Sequence, residues 1–364
     1  MFSVQNAKQA DMCRFCWMCR HICPVAGATG SEGWGPRARG LMVSMIERGT
    51  EYDAEIADSI YHCTLCDACA NDCVTGWKPA DFIREARTLA VVNDIAPQSI
   101  MTQIENLSYY GNVYGLPLCE KLGEKIDALP KKADLLLYLG QSGRTVGSSV
   151  ALNLMEILDK AGIVYTVLKD ELPSGTFLND LMGTTGDVQA AAAAVVSQIV
   201  NSGAKEIVAL SPSDTVMFRE YYGGWGLLEN IKVSSATSFV AGLLAEKKLK
   251  VLPVELTASL QEPVKLTRGL EEENPLLEIV AALGINYIPL FLHGKFSRCV
   301  GNPIMECYDS SVAKRMVAVR CDDARRINSN VIITASPDDY YIMNKYADKD
   351  IRIVDIYDLI NTNS

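Results

Sequence analysis

The strongest constraint on this chain is the spacing of eight of its twelve cysteines. They form two runs with one pattern: two residues separate each of the first three cysteines, and three residues precede the fourth. This spacing is typical of loops that bind cubane [4Fe–4S] clusters, because three thiolates from one tight loop can reach one face of a cubane. The runs are Cys13, Cys16, Cys19 and Cys23, followed by Cys63, Cys66, Cys69 and Cys73.

The fourth cysteine of each run points away from its own loop, toward the start of the next helix. In two-cluster ferredoxins this cysteine binds the cluster of the other run. We therefore predict a crossed arrangement of two clusters. Cluster one is assigned to Cys13, Cys16, Cys19 and Cys73, and cluster two to Cys63, Cys66, Cys69 and Cys23.

Two simpler interpretations of the cysteines fit less well. Structural zinc usually takes two close ligands from each of two places, four in all, and two runs of four overfill such a site. Disulfides are rare in the cytoplasm, and neighbours this close would strain the bridge geometry. Each predicted cluster has four thiolate ligands, so no iron is left open to bind substrate. Electron transfer is therefore the predicted role.

Composition excludes some other classes of function. The formal net charge of −10 argues against nucleic-acid binding, which requires a basic surface. The most apolar stretch, residues 279–293, is short and interrupted, so we expect no membrane span. The first thirteen residues lack the apolar segment of a signal peptide. These observations predict a cytoplasmic protein.

The chain divides into a helical part and an α/β part. Helical patterns over 36–49, 51–61 and 80–92 predict an α-helical ferredoxin domain at residues 1–95. Residues 96–132 carry mixed signals and are predicted to be a connector.

Short apolar strands then alternate with helices, which predicts mostly parallel sheets. The predicted strands cover 133–139, 163–168, 206–210, 250–254, 285–292 and 331–334, and the predicted helices 150–160, 188–201, 275–283 and 311–327. Two segments end alike, since a strand is followed by Ser211-Pro-Ser-Asp214 in one and by Ser336-Pro-Asp-Asp339 in the other. We therefore predict a duplicated α/β domain, with repeats at 133–248 and 249–364, and an α+β multidomain fold overall.

With these motifs the chain resembles the iron–sulfur subunits of the heterodisulfide reductase and glycolate oxidase type. The resemblance rests on the two cysteine runs, Cys23-Pro24, Pro36-Arg37 with Gly40, and the helix that holds Arg84 and Arg87. It implies a duplicated cysteine-rich domain after the two cubane runs. Val74 is a departure, because the family usually has proline after the last cysteine.

The second part of the chain departs much further from that family. The resemblance implies that ten cysteines in the two repeats hold non-cubane clusters. Of these ten, only Cys299 is present in this chain. No non-cubane cluster is therefore expected, and the disulfide-reducing activity is predicted to be lost. The corresponding positions hold Gln141, Pro173-Ser174-Gly175, Ser211 and Asp214 in the first repeat, and Ala258, Cys299-Val300-Gly301, Ser336 and Asp339 in the second.

The predicted function is that of an electron-transfer subunit of a larger redox complex. It would relay electrons between a flavin-containing dehydrogenase or reductase subunit and a ferredoxin, quinone or similar acceptor, with flavin on the partner only. Further iron–sulfur subunits could belong to the same complex, and the duplicated domain would serve as a docking scaffold. The alternative is an oxidoreductase with a remodelled substrate or metal pocket between the two repeats near Cys299. Ser211, Asp214, Ser336 and Asp339 could hold a hard cation there, although Ser-Pro-x-Asp is also a common helix cap.

Overall fold

The computed structural model describes residues 2–364 and has an N-terminal helical region followed by two parallel four-stranded sheets. The predicted α+β multidomain fold is therefore confirmed. Within the described residues, no helix is both long and apolar enough to cross a bilayer. The boundaries between the predicted domains stay predictions.

The N-terminal region contains seven helices, and the three that the sequence predicts there are confirmed. They are α1 (Val4–Ala10), α2 (Met18–Ile22), α3 (Pro24–Thr29), α4 (Pro36–Glu47), α5 (Ala54–Tyr61), α6 (Ala68–Asn71) and α7 (Pro79–Val92). Proline at the first position starts α3, α4 and α7, where its missing N–H has no helical partner to lose. Gly40 of α4 allows close packing, because a Cβ there would lie 2.6 Å from the Trp77 ring.

The connector is more ordered than its sequence suggests. It contains α8 (Gln98–Tyr110) and α9 (Glu120–Asp127), neither of which we predicted. The Tyr109-Tyr110-Gly111 segment is the end of α8, where Gly111 takes the left-handed conformation that commonly closes a helix. Helix α8 buries Ile100 and Leu107, so it packs on the protein instead of crossing open solvent.

Both sheets have the same strand order, which supports a duplication. The first is β2-β1-β3-β4 and the second is β6-β5-β7-β8, with all strands parallel. The first repeat holds β1 (Leu135–Tyr138), α10 (Gly140–Arg144), α11 (Ser148–Lys160), β2 (Tyr165–Thr166), α12 (Thr176–Met182), α13 (Gly186–Ser202), β3 (Glu206–Ala209), α14 (Pro212–Val216), β4 (Lys232–Ser235) and α15 (Ala236–Ala245). The second holds β5 (Thr257–Gln261), α16 (Asn274–Ala282), β6 (Asn286–Tyr287), α17 (Pro303–Tyr308), α18 (Ser310–Arg326), β7 (Val331–Thr334), α19 (Pro337–Tyr346), β8 (Arg352–Asp355) and α20 (Ile356–Thr362).

Most predicted strands and helices of the repeats are present, but one predicted strand is wrong. Residues 250–254 form no strand, and Pro253 there has no N–H to donate to a ladder. The first strand of that repeat is β5, which buries polar side chains such as Ser259 and Gln261 and so lacks an apolar signature. Strands β4 and β8 were also not predicted, and β2 and β6 are shorter than expected.

The two repeats share one hydrophobic core. Helix α11 of the first repeat packs against α20, the last helix of the second, and α15, the last helix of the first repeat, packs against α16. The largest buried apolar cluster contains side chains from both sheets, such as Val208 and Ile333, and from helices of both repeats, such as Leu154 and Ile360. The duplicated region is therefore expected to unfold as one unit.

Leu154→Ala tests this shared core. Leu154 of α11 is fully buried, and a leucine-to-alanine change in a core costs about 2–5 kcal/mol of unfolding free energy. Leu252→Ala is the matched control, because that side chain is 70% exposed and its loss should cost less than about 0.5 kcal/mol. Anaerobic urea unfolding followed by circular dichroism should show one transition for both repeats. Separate transitions for the two sheets would contradict the shared core.

Candidate metal centre

The two cysteine loops have the same backbone conformation. Phe15 and Trp17 in the first loop, and Leu65 and Asp67 in the second, all have positive φ of 50–68°. These residues occupy equivalent positions between the first three cysteines of each run. Non-glycine residues in this region cost about 1–2 kcal/mol each, and such strain concentrates at functional sites. The repeated conformation therefore indicates that both loops are shaped for the same task.

Thiols of the two runs lie close to one another. The thiol of Cys19 has Cys13, Cys23, Cys16 and Cys73 among its neighbours. The thiol of Cys69 has Cys63, Cys66 and Cys23. One cavity is lined by four of the eight cysteines, and these are Cys23, Cys63, Cys66 and Cys69.

Buried arginines surround the thiols of this cavity. Arg39 is 1% exposed, lines the same cavity and acts on the Cys23 thiol electrostatically. Within residues 2–364, one guanidinium nitrogen of each of Arg39, Arg87 and Arg268 is buried without a hydrogen-bond partner. Unpaired buried cationic groups are costly, so their arrangement favours a bound anion near the thiolates.

Four consecutive backbone carbonyls of the second loop accept hydrogen bonds from long-range side chains. Arg87 of α7 donates to the carbonyl oxygen of Cys63. The other three donors come from the second repeat: Asn302 Nδ2 lies 3.3 Å from Thr64 O, Lys265 Nζ lies 3.0 Å from Leu65 O, and Arg268 Nε lies 2.8 Å from Cys66 O. The second loop is thus fixed between the helical region and the second repeat.

Backbone N–H groups of the same loops point at the thiols. The N–H of Leu65 lies 3.4 Å from Cys63 Sγ, and the N–H of Ala68 donates to Cys66. Cys73 Sγ lies 3.2 Å from Thr75 Oγ1 and also accepts from the backbone. Such bonds stabilise thiolates and are among the features that set the potentials of iron–sulfur clusters.

Three of these thiols resist ionisation because they are buried. Burial raises the pKa of Cys19 to about 12 and that of Cys23 to about 11, and burial also raises the pKa of Cys69. Several buried thiolates can coexist only around a positively charged metal core, whose binding expels their protons.

Within residues 2–364, no three metal-ligating side chains converge on the position of a single ion. The cavity with its thiols and unpaired guanidinium groups fits a [4Fe–4S] cluster, whose four irons each take one thiolate.

The first loop is far more exposed than the second. Cys16 is exposed, and so are its neighbours Phe15 and Trp17, at 51% and 46%. The Arg37 guanidinium lies 3.5 Å from the Trp17 ring centroid, so this tryptophan forms a surface platform. Trp77 is 1% exposed, in contrast, and packs in the core near the first loop.

The fourth cysteines differ in their local structure. Cys23 directly precedes α3, as predicted. Cys73 does not begin a helix, because Val74 replaces the proline that would start one and α7 begins only at Pro79. Val74 is 81% exposed.

Cys299 has a contact that its sequence position does not indicate. It is 4% exposed, and its side chain interacts directly with that of Cys66. This interaction lowers the pKa of Cys66 and raises that of Cys299. Cys299 therefore lies beside the second cysteine loop, a contact that no local sequence signal could reveal.

The polar residues at the ends of β3 and β7 lie close together. Ser211 Oγ is 3.3 Å from Asp338 Oδ2 across the repeats, and Asp214 Oδ1 accepts a bond from Ser174. Ser336 accepts the N–H of Asp339, 3.5 Å away, as the cap of α19, so the capping interpretation of this motif is confirmed at Ser336.

Comparison with known proteins identifies the helical region. Residues 9–77 match the family model of the 4Fe-4S dicluster domain. This match covers both cysteine loops, and it identifies the chain as an iron–sulfur protein that binds [4Fe–4S] clusters.

A curated relative extends the similarity beyond this domain. The chain is 23% identical over 297 residues to a protein of Chromohalobacter salexigens described as a probable membrane-anchored ferredoxin. The match covers 77% of this chain and 44% of the relative, so the chain spans less than half of that protein's length.

The similarity to solved structures concerns the fold alone. A hypothetical protein from Helicobacter pylori aligns over 100% of this chain and 73% of its own, at 11% identity and a TM-score of 0.55. Glutamate racemase RacE1 from Bacillus anthracis aligns over 64% of this chain and 79% of its own, at 14% identity and a TM-score of 0.32, which supports no inference.

Lys265→Met tests whether the carbonyl contacts protect the second loop. Loss of a hydrogen bond from a charged donor costs about 1.5–3 kcal/mol, so local opening should increase at least about 10-fold. Loss of iron from the anaerobically loaded protein to a chelator, followed by absorbance, should accelerate accordingly. Lys250→Met is the control, because this exposed lysine lies away from the loop. Equal rates in the two variants would show that Lys265 does not hold the loop.

Proposed function

We propose that the chain is an electron-transfer subunit that relays electrons through two [4Fe–4S] clusters. The observation that carries this proposal is the proximity of thiols from both cysteine loops, within a region that matches a dicluster domain. The proposed ligands are the crossed sets: Cys13, Cys16, Cys19 and Cys73 for cluster one, and Cys63, Cys66, Cys69 and Cys23 for cluster two. Clusters of this kind supply one-electron carriers when bound.

The difference between the two loops supports a direction of approach for partners. The exposed first loop offers Phe15, Trp17 and Cys16 to a docking protein, whereas the second loop is buried against the second repeat. Arg14 and Arg37 add positive charge beside the first loop. Two other arginines nearby add little to this basic surface, because Arg20 pairs with Glu32 and Arg39 is buried. An acidic surface on the partner would complement it.

The proposed partner is a flavin-containing dehydrogenase or reductase subunit, together with a ferredoxin, quinone or similar acceptor. This part of the proposal follows from the resemblance to the heterodisulfide reductase and glycolate oxidase type, and the ferredoxin named among the relatives is consistent with it. The flavin would belong to the partner, and further iron–sulfur subunits could join. We propose a cytoplasmic location for this chain, with the duplicated domain as a scaffold.

The position of Cys299 bears on the alternative of a remodelled active site. Its thiol is buried, interacts with Cys66 and donates to the Gly301 carbonyl oxygen at 3.3 Å. A thiol with these contacts supports the second loop and is poorly placed to meet a substrate. The relay is therefore the function that the structure supports best.

Arg14→Glu tests the relay and its docking surface together. The native complex, purified anaerobically through a tag on this chain, should contain a flavoprotein that reduces the iron–sulfur chromophore in stopped-flow experiments. Charge reversal beside the first loop should slow this reduction about 10-fold at low salt, and less at high salt, because it weakens steering of an acidic partner. Iron content should not change.

Lys131→Glu provides the matched control, since it reverses an exposed charge in the connector, away from the first loop. It should leave the reduction rate within about 2-fold of the unmodified protein. If no flavoprotein accompanies the chain, or if both variants slow reduction equally, the proposed relay through the first loop is wrong.

A further inference from the structure

A large cavity lies at the carboxyl end of the first sheet, away from both cysteine loops. Its volume is about 770 Å³, within the usual range for small-molecule sites. It lies between α8, α12, α13 and the segment that follows β2. Gln141 follows β1 and Asp214 follows β3, on either side of the point where the strand order reverses. Open parallel sheets commonly bind their ligands at this position.

The cavity combines apolar walls with one polar end. Leu107, Leu172, Phe177 and Leu178 are among the apolar side chains that line it. A ligand with an apolar body could bury that body against these walls, which is the main source of affinity for small molecules in such sites.

Two buried polar atoms in the lining have no partner within residues 2–364. Gln141 is 5% exposed, its Oε1 accepts the N–H of Val113 at 3.1 Å, and its Nε2 is left without an acceptor. Asp214 is 2% exposed, its Oδ1 accepts the Ser174 hydroxyl at 2.5 Å, and its Oδ2 is left without a donor. Buried polar groups are normally paired, so these two atoms indicate a missing partner.

Neighbouring polar groups are already satisfied. Both carboxylate oxygens of Glu171 accept backbone N–H groups, from Leu139 and Gly140, at 2.9 Å. The Arg144 guanidinium donates to the backbone carbonyls of Leu168 and Lys169. A ligand would therefore be recognised mainly by the two unpaired atoms.

The charge of the lining selects the class of ligand. Four carboxyl groups line the cavity, from Asp170, Glu171, Asp187 and Asp214, against the single cation of Arg144. The exposed carboxylates of Asp170 and Asp187 outnumber this one cation, which repels carboxylates and phosphates, and a bound cation would favour ionisation of the buried carboxyl groups of Glu171 and Asp214. Burial next to Asp338 and Glu171 raises the pKa of Asp214 to about 8, so a cationic partner would also relieve the cost of its ionised form.

We propose that this cavity binds an organic ammonium compound with an apolar body. The ammonium group donates to Asp214, a neutral oxygen of the ligand accepts from Gln141, and the apolar body lies against Phe177 and Leu178. This site goes beyond the proposed electron relay and does not depend on it.

Isothermal titration of the anaerobic, iron-loaded protein tests this site with three matched probes. The cation is 2-amino-1-phenylethanol, the neutral analogue is 1-phenyl-1,2-ethanediol and the anion is mandelate. The amine should bind with a dissociation constant at or below about 1 mM, and at least about 10-fold more tightly than either analogue. Absence of amine binding, or equal binding of the neutral diol, would overturn the proposal.

Two variants locate the binding. Asp214→Asn keeps the size of the side chain and an acceptor for Ser174, but should weaken amine binding at least about 10-fold. Ala191→Phe should block the apolar part of the cavity, which Ala191 lines, whereas Ala190→Phe adds the same ring at an exposed neighbour and should have no effect. Retained iron content and melting temperature show that each variant is folded. If neither Asp214→Asn nor Ala191→Phe weakens binding, the amine binds elsewhere and the assignment of this cavity is wrong.

Discussion

Four hydrogen bonds to the consecutive carbonyls of Cys63, Thr64, Leu65 and Cys66 hold the second cysteine loop. One donor lies in the helical region and three lie in the second repeat, more than 190 residues along the chain. These donors bind the carbonyl oxygens from outside the loop, whereas N–H groups of the loop point at the thiols. The same contacts join the helical region to the duplicated domain, so the geometry of the second cysteine loop depends on the second repeat.

The duplicated domain forms two complete sheets without the cysteines that the resemblance leads one to expect. Its two sheets share one core through the α11–α20 and α15–α16 contacts, which do not involve the replaced positions. Those positions now hold buried polar residues such as Gln141, Ser211 and Asp214 at the carboxyl ends of the strands. This domain is therefore stable without cysteine-based sites of its own. It supports the second cysteine loop through Lys265 and Arg268, and it contains a separate cavity in the first repeat.

Local patterns allowed a large part of this structure to be predicted from the sequence. Cysteine spacing indicated both loops, and apolar runs identified strands such as Val331–Thr334 within a residue or two. Strand β5 was missed because its buried residues Ser259 and Gln261 are polar, and α8 because the mixed signals of residues 96–132 favoured a connector. The contacts of Cys299 with Cys66 and of Asn302 with Thr64 join residues more than 200 positions apart, and no local pattern encodes them.

The crossed ligation of two clusters is the central claim, and a crystal structure of the anaerobically loaded protein with anomalous scattering at the iron edge tests it most directly. The account predicts two separate groups of about four irons each, with Cys73 bound to the group held by Cys13, Cys16 and Cys19, and Cys23 bound to the other. A single group of irons, or Cys23 and Cys73 each bound to the cluster of its own run, would contradict it.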